Sequence, residues 1–234
     1  MKRNQNMKKL GLIGGTGPES TLIYYKTITS QVEKKTGKFP YLTIESLSVF
    51  DVLQYASSND REGLTEYLLE GFQHLAGAGC EFAALTGITP HVVLDEIRKR
   101  APIPVISMID TTAQALLKQK ISSVLLLGTK PTMSGTFVTE PLERQGIHVL
   151  VPEPDIQEQI NDHIENELEL GLVKDSTQQF FKTYCEDTLT RHSAQAIILG
   201  CTELPLAFKN LPLPVPTVDV MDVHIRTLID MILA

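Results

Sequence analysis

The sequence predicts an α/β protein of two pseudo-symmetric lobes, each a short, mostly parallel sheet flanked by helices. Three observations predict it. Short apolar runs alternate with amphipathic stretches of ten or more residues, the signature of βαβ units. Glycine-rich turns follow several of the apolar runs, as at Gly14-Gly15-Thr16-Gly17-Pro18 and Gly128-Thr129. The two halves of the chain also match at one offset: Ile13 falls on Leu127 and Leu85 falls on Leu199, in both cases 114 positions apart.

In order, Lys9 to Ile13 reads as a strand, followed by a tight glycine turn and a helix begun by Glu19-Ser20-Thr21. Tyr41 to Leu47 is a strand, Glu62 to Ala78 a helix, Phe82 to Leu85 a buried strand and His91 to Arg100 a helix. Pro102-Ile103-Pro104 leads into a strand from Val105 to Met108. The second half restarts with a helix from Thr111 to Lys120, a strand from Val124 to Leu127, a helix around Phe137 to Gln145 and a strand from His148 to Leu150. A helical stretch from Ile156 to Leu170, a helix from Thr177 to His192 and the apolar run beginning at Ile197 follow. Leu211 to Pro216 is too proline-rich for an interior strand and reads as a connection back to the first lobe, where Val220 to Leu233 is a closing helix. The expected lobes are therefore residues 1–112 with 217–234, and residues 113–216.

At 234 residues either lobe can bury a core of its own, and a formal charge of −7 argues against nucleic acid and anionic membranes as partners. No apolar run is long enough to span a membrane, and Met1 to Asn6 has no apolar core behind it that would make a signal peptide, so a cytoplasmic location is the expectation. Cys80, Cys185 and Cys201 show no Cys-x-x-Cys spacing, which suggests free thiols rather than a disulfide framework or a zinc site. The first glycine turn lacks the Rossmann spacing, and no Walker Gly-Lys-Ser/Thr occurs.

Cys201 is the candidate catalytic residue. It follows the run Ile197-Ile198-Leu199-Gly200 and precedes Thr202 and Glu203, where a strand would end and a helix begin. Free N–H groups at such a point favour a thiolate. Ligands of parallel sheets sit beyond the carboxyl ends of the strands. The turns there offer Thr16, Ser20, Thr21, Thr86, Thr89, Thr129, Thr132, Ser134 and Thr202, neutral hydroxyls beside free amides that suit a small carboxylate. Helix capping accounts for part of this inventory without any ligand.

Gly14 to Thr21 with Tyr24-Tyr25, Thr89-Pro90-His91, Leu127-Gly128-Thr129 with Thr132-Met133, and Gly200-Cys201-Thr202-Glu203 together resemble the aspartate/glutamate racemase family, over nearly the whole chain. The resemblance implies an active site in a cleft between the lobes, no pyridoxal phosphate or other cofactor, no metal, and often a homodimer. It implies an amino-acid racemase that moves the Cα proton with a thiol from each lobe. Cys201 matches the second-lobe thiol. The implied substrate-binding residues are Gly15, Thr16, Ser20, Thr21, Gly87, Ile88, Thr89, Thr129, Thr132, Gln159, Thr202 and Glu203.

Three of these depart from the family's pattern. Gly87 stands where the first-lobe cysteine is common, Ile88 where asparagine is, and Gln159 where aspartate-specific members often carry lysine. A single cysteine opposite glycine also resembles the arylmalonate decarboxylase branch, in which one cysteine protonates a carbanion left by loss of CO₂. A binding protein that has lost turnover is the non-enzymatic alternative. His91 is the nearest titratable residue to Thr89 and reads either as an acid/base group or as a brace for the turn.

Overall fold

The computed structural model describes residues 7–234, so Met1 to Asn6 lie outside the described residues. Contacts divide the chain into two units, residues 7–111 with 224–234, and residues 112–223.

The first unit is built from β1 (Leu10–Gly14), α1 (Pro18–Thr36), β2 (Leu42–Ser46), α2 (Val49–Ser57), α3 (Arg61–Gly77), β3 (Phe82–Leu85), a 3-10 turn (Thr89–Val93), α4 (Leu94–Arg100), β4 (Val105–Ile106) and the start of α5 (Met108–Lys118). Its four strands lie in the order β2-β1-β3-β4, all parallel. β1 and β3 are central and every residue of each is buried, which is why they read as unbroken apolar runs. α1 begins at Pro18, whose missing N–H costs nothing there. It ends at Gly37, whose φ of 72° lets its N–H return to Glu33 O at 2.7 Å. Its buried face is Ser20, Tyr24, Ile28 and Val32, four residues apart. Ile13, Leu68, Phe72, Leu75, Leu85 and Ile97 form the core on one side of the sheet.

The second unit holds β5 (Ser123–Leu127), α6 (Lys130–Ser134), α7 (Thr136–Glu143), β6 (His148–Leu150), α8 (Pro154–Asn166), a 3-10 turn (Leu168–Leu170), α9 (Asp175–Arg191), β7 (Ala196–Leu199), α10 (Leu204–Phe208), β8 (Thr217–Asp219) and the start of α11 (Val220–Leu233). The order β6-β5-β7-β8 is again parallel throughout. Its core gathers Leu125, Leu127, Ile160, Ile164, Phe181, Cys185, Ile197 and Leu199.

The repeat at 114 positions is a repeat of register. Ile13 pairs with Leu85 across β1 and β3, and Leu127 pairs with Leu199 across β5 and β7. In each unit the two central strands thus end level with one another, and the turns that follow them start side by side.

Several elements differ from expectation. Thr217–Asp219 is an edge strand of the second sheet, so residues 217–223 belong with the second unit rather than the first. The proline block before β8 hides a short strand that pairs only with β7. The helix expected from His91 begins as a 3-10 turn, because Pro90 and the tight exit from β3 delay regular α geometry until Leu94. The strand from Val105 is two residues long, since Met108 already opens α5. The stretch from Ile156 to Leu170 breaks at Glu167 into α8 and a 3-10 turn. α2, α6 and α10 are additional short helices.

Candidate active site

In the first unit, β1 delivers the chain into Gly14-Gly15-Thr16-Gly17. Gly15 has a φ of +76°, and a Cβ on it would lie 2.1 Å from Leu47 O, so only glycine fits. The Thr21 hydroxyl ties the turn together. It accepts the Gly15 N–H at 3.0 Å and stands 3.0 Å from Gly17 O and 3.1 Å from the Thr86 hydroxyl. Thr86 donates in turn to Ile13 O at 3.1 Å, and Ser20 donates to Gly17 O at 2.8 Å. Ser20 and Thr21 are therefore occupied with the backbone of their own turn. Thr16 differs: its Oγ1 is buried and has no hydrogen-bond partner among the described residues.

The turn after β3 lies beside it. A Cβ on Gly87 would meet Thr16 Oγ1 at 2.9 Å and Thr16 O at 3.3 Å. The space left by a missing side chain at residue 87 is thus partly taken by the Thr16 hydroxyl. Ile88 and Thr89 follow, both half-buried.

His91 is fully engaged. Its Nδ1–H donates to Gly87 O at 3.1 Å and Ile88 O at 3.2 Å, and its Nε2 accepts the Met108 N–H at 3.3 Å, which together select the neutral Nδ1–H tautomer. Burial depresses its pKa to about 4. A second buried histidine stands in the same unit: His224 Nε2–H donates to Ile106 O at 3.2 Å, and its Nδ1 accepts the Tyr24 hydroxyl at 2.7 Å. Burial first, and then the proximity of His91, lowers it to about 3. Of the two readings of His91, the brace is the one its contacts support: both ring nitrogens are committed to main chain, which leaves none for acid/base work.

In the second unit, Gly128 and Gly200 end β5 and β7 side by side, with the Gly200 N–H donating to Leu127 O at 2.7 Å. Buried Thr132 packs against both: a Cβ on Gly128 would meet its Cγ2 at 2.8 Å and one on Gly200 at 3.1 Å. The Thr132 and Thr129 hydroxyls are 3.1 Å apart. Cys201 comes next. Its Sγ donates to Glu203 Oε2 at 2.9 Å, and the Thr202 hydroxyl donates to the same oxygen at 2.6 Å.

This geometry corrects the expectation of a thiolate. α10 starts only at Leu204 and is five residues long, and the main-chain hydrogen bond from Glu203 that favours the thiolate is outweighed. Burial, then the Glu203 charge and its hydrogen bond, push the Cys201 thiol well above its ordinary pKa. At rest it is a protonated thiol donating to a carboxylate. Glu169 adds a further negative charge nearby, and its own carboxyl is raised by burial and by Glu203.

Gln159 is exposed on α8, and its amide donates to Asp155 O at 3.3 Å within its own helix. The α8 residues that reach the Thr129 turn are others. Asn161 Oδ1 accepts the Lys130 N–H at 2.9 Å, and Glu158 pairs with the Lys130 ammonium. Three residues apart, Glu158 and Asn161 share a face of the helix that Gln159 does not, and sequence spacing alone did not single them out. Cys80 is buried at the amino end of β3, its Sγ 3.2 Å from where a Gly11 Cβ would stand, and Cys185 is buried in α9 with its pKa raised to about 12 by burial. Among the described residues no three His, Cys, Asp or Glu side chains converge as metal ligands, and no helix is long and apolar enough to cross a membrane.

The chain as a whole matches known proteins. The profile of the Asp/Glu/Hydantoin racemase family matches residues 13–228. The chain belongs to this family. Among solved structures, an aspartate racemase homologue from Pyrococcus horikoshii is 36% identical, with a TM-score of 0.86 over 96% of this chain and 99% of that one. The broad specificity amino-acid racemase RacX of Bacillus subtilis is 23% identical, covering 90% of this chain and 92% of its own. Arylmalonate decarboxylase shares the fold at 11% identity, with a TM-score of 0.56 over 95% of this chain and 92% of that one.

Two measurements follow from the titrating groups of this racemase-family chain. His91 and His224 are neutral when folded and titrate near 6.5 when unfolded, so the unfolded chain binds more protons below that pH. Stability is full above pH 6.5 and is lost as pH falls toward 4. Between pH 7 and 5.5 the two residues together should cost the first unit on the order of 2–3 kcal/mol, read from urea midpoints; equal midpoints at both pH values would contradict their burial as neutral groups. For Cys201, burial is the larger cause of the raised pKa, and Glu203→Gln removes the charge that adds to it. Alkylation by iodoacetamide at pH 8 should accelerate about three- to tenfold, and an unchanged or slower rate would show that Glu203 does not control the thiol.

Proposed function

We propose that this member of the racemase family is a cofactor-independent enzyme that moves a proton at the carbon beside the carboxylate of an amino acid or closely related small acid, with Cys201 as its acid/base residue. The observation that carries this is the Cys201–Glu203 contact at 2.9 Å. A thiol beside a carboxylate has a defined proton and a defined place to put it. In the exchange direction, the Sγ proton passes to Glu203 Oε2, the thiolate takes the Cα proton, and the electron pair of the broken C–H bond moves into the substrate carboxylate. Reversal of the same steps restores the acid. The raised thiol pKa makes the thiolate, once formed, a stronger base and better matched to a weakly acidic Cα–H.

In this reading the substrate-binding residues are Gly15, Thr16, Gly87, Ile88 and Thr89 in the first unit and Thr129, Thr132 and Thr202 in the second, with Ser20 and Thr21 shaping their turn and Gln159 a lesser contributor. The reading also carries a homodimer and a cytoplasmic location. Racemisation requires a second proton carrier for the other face of the carbon. Residue 87, the repeat counterpart of Cys201, offers none. Exchange at Cα without rapid inversion is therefore the expected behaviour.

A second reading is favoured by the protonated state of Cys201. A thiol that is ready to give a proton suits a reaction in which the carbanion arises by loss of CO₂ and needs only protonation. Here the C–C electron pair remains on carbon, the Sγ proton closes the bond, and the thiolate is reprotonated from solvent.

Incubation with L- and D-amino acids and substituted malonates in D₂O separates the two. Wild-type protein should replace the α-hydrogen of at least one amino acid with deuterium, and Cys201→Ala should slow this by about 100-fold or more. Release of CO₂ with a product of one handedness assigns the second reading. A wild-type protein that binds one of these acids yet yields neither deuterium incorporation nor CO₂ is a binding protein, and the proposal fails.

A further inference from the structure

We propose that Glu167 is a positioning residue: with Thr177 and Lys174 it clamps the turn between α8 and α9, and through Glu169 on that turn it tunes the reactivity of Cys201. The inference rests on the reading of Cys201 as the reactive residue. All of these groups lie in the second unit.

Glu167 follows the last residue of α8 and anchors the turn with both its main chain and its side chain. Its carbonyl accepts the Leu170 N–H at 3.1 Å and the Leu172 N–H at 2.9 Å, and Gly171 closes the turn with a φ of +71°. Its carboxylate is only 13% exposed, so it finds its partners in the protein rather than in water. One oxygen accepts the hydroxyl of fully buried Thr177 in the first turn of α9, and the other lies 3.0 Å from the Lys174 ammonium. His163 Nδ1 stands 3.6 Å from that second oxygen and 3.5 Å from the Thr177 hydroxyl. The Thr177 bond first, and Lys174 next, hold the carboxyl below its ordinary range.

Apolar packing secures only one end of this segment. From Leu168 to Val173 only Leu168 is buried, while Leu170 and Leu172 face solvent, so the polar clamp holds the rest. Leu168 shares the core of the unit with Leu204 of α10, and Cys201 packs partly buried against the same core. Gln178, next to Thr177, donates to Ala207 O of α10 at 3.0 Å. The clamp is thus joined to the helix that follows Cys201-Thr202-Glu203. Between the clamp and that helix the turn carries Glu169, whose charge acts on both Cys201 and Glu203. The charge of Glu167 is balanced by Lys174, so its influence on the thiol runs through position.

Thr177→Val breaks the clamp without changing any charge, Thr177→Ser keeps the hydroxyl, and Glu169→Gln removes the charge that the clamp positions. Cys80 and Cys185 are buried, so iodoacetamide at pH 8 reads Cys201. Alkylation should run about twofold faster in Thr177→Val and in Glu169→Gln than in wild type, and at the wild-type rate in Thr177→Ser. The double variant Thr177→Val/Glu169→Gln should be no faster than Glu169→Gln alone. Because Glu169 is exposed, the gain should shrink in about 1 M salt. A Thr177→Val protein that melts lower but is alkylated at the wild-type rate would make the clamp purely structural and overturn the proposal. Effects that add in the double variant, or a gain that salt leaves untouched, overturn the route through Glu169. Should Thr177→Val not fold, Lys174→Met loosens the same clamp at an exposed position. Direct loss of a positive charge slows alkylation there, so a faster rate supports the clamp and an equal or slower one overturns it. The expected alkylation pattern in a protein that exchanges no α-hydrogen refutes the proposed reaction alone and leaves the clamp standing.

Discussion

The pairing of two central strands in each unit is the constraint on which the rest depends. β1 with β3, and β5 with β7, are buried on every residue but Ser123 at the start of β5, and no other polar side chain lies along them to set their register. The register is set by main-chain hydrogen bonding and by the packing of Leu and Ile side chains on both faces. Because Ile13 meets Leu85 and Leu127 meets Leu199, both strands of each pair run out together. Two loops then leave the sheet at the same level, close enough for Thr21 to reach Thr86 in one unit and for Thr132 to pack on both Gly128 and Gly200 in the other. The small residues at these ends follow from that proximity, and the chemistry is placed by it.

Within that frame the electrostatics of Cys201 run against a simple strand-to-helix picture. A thiol gains acidity from aligned N–H groups, and here burial first, and then the carboxylate two residues on, outweigh the main-chain hydrogen bond from Glu203. The consequence is a proton held in a known position between sulfur and oxygen. Burial of Cys80 and Cys185 leaves Cys201 as the half-buried thiol among the three.

The central strands were legible in the sequence because burial on both faces writes itself as an unbroken apolar run, and the offset of the two halves was legible because four such runs preserved it. α1 was marked by Pro18 and by its glycine turn. α2 was not, since it buries only Val52 and shows Phe50 and Leu53 to solvent, so its apolar residues do not form an inward stripe. β8 was masked by the prolines before it. In the site, the residue types were readable and their occupations were not. Whether Thr21 caps a turn or meets a ligand depends on where Gly15, Gly17 and Thr86 fold. The His91 ring is committed to Met108, seventeen positions away, by a contact that local pattern does not contain. The state of the Cys201 thiol turned on the direction of one carboxylate.

Equal register has a consequence for how such a protein changes over evolutionary time. Residues 87 and 201 each follow the end of an equivalent strand by two positions; residue 87 lies outside the apolar core of its unit, and Cys201 packs only partly buried against the core of its own. Either can be rewritten without re-tuning the sheet beneath it. Two strand ends at one register thus give each unit an equivalent mount, and a change of side chain at either leaves the strand pairing beneath it as it was.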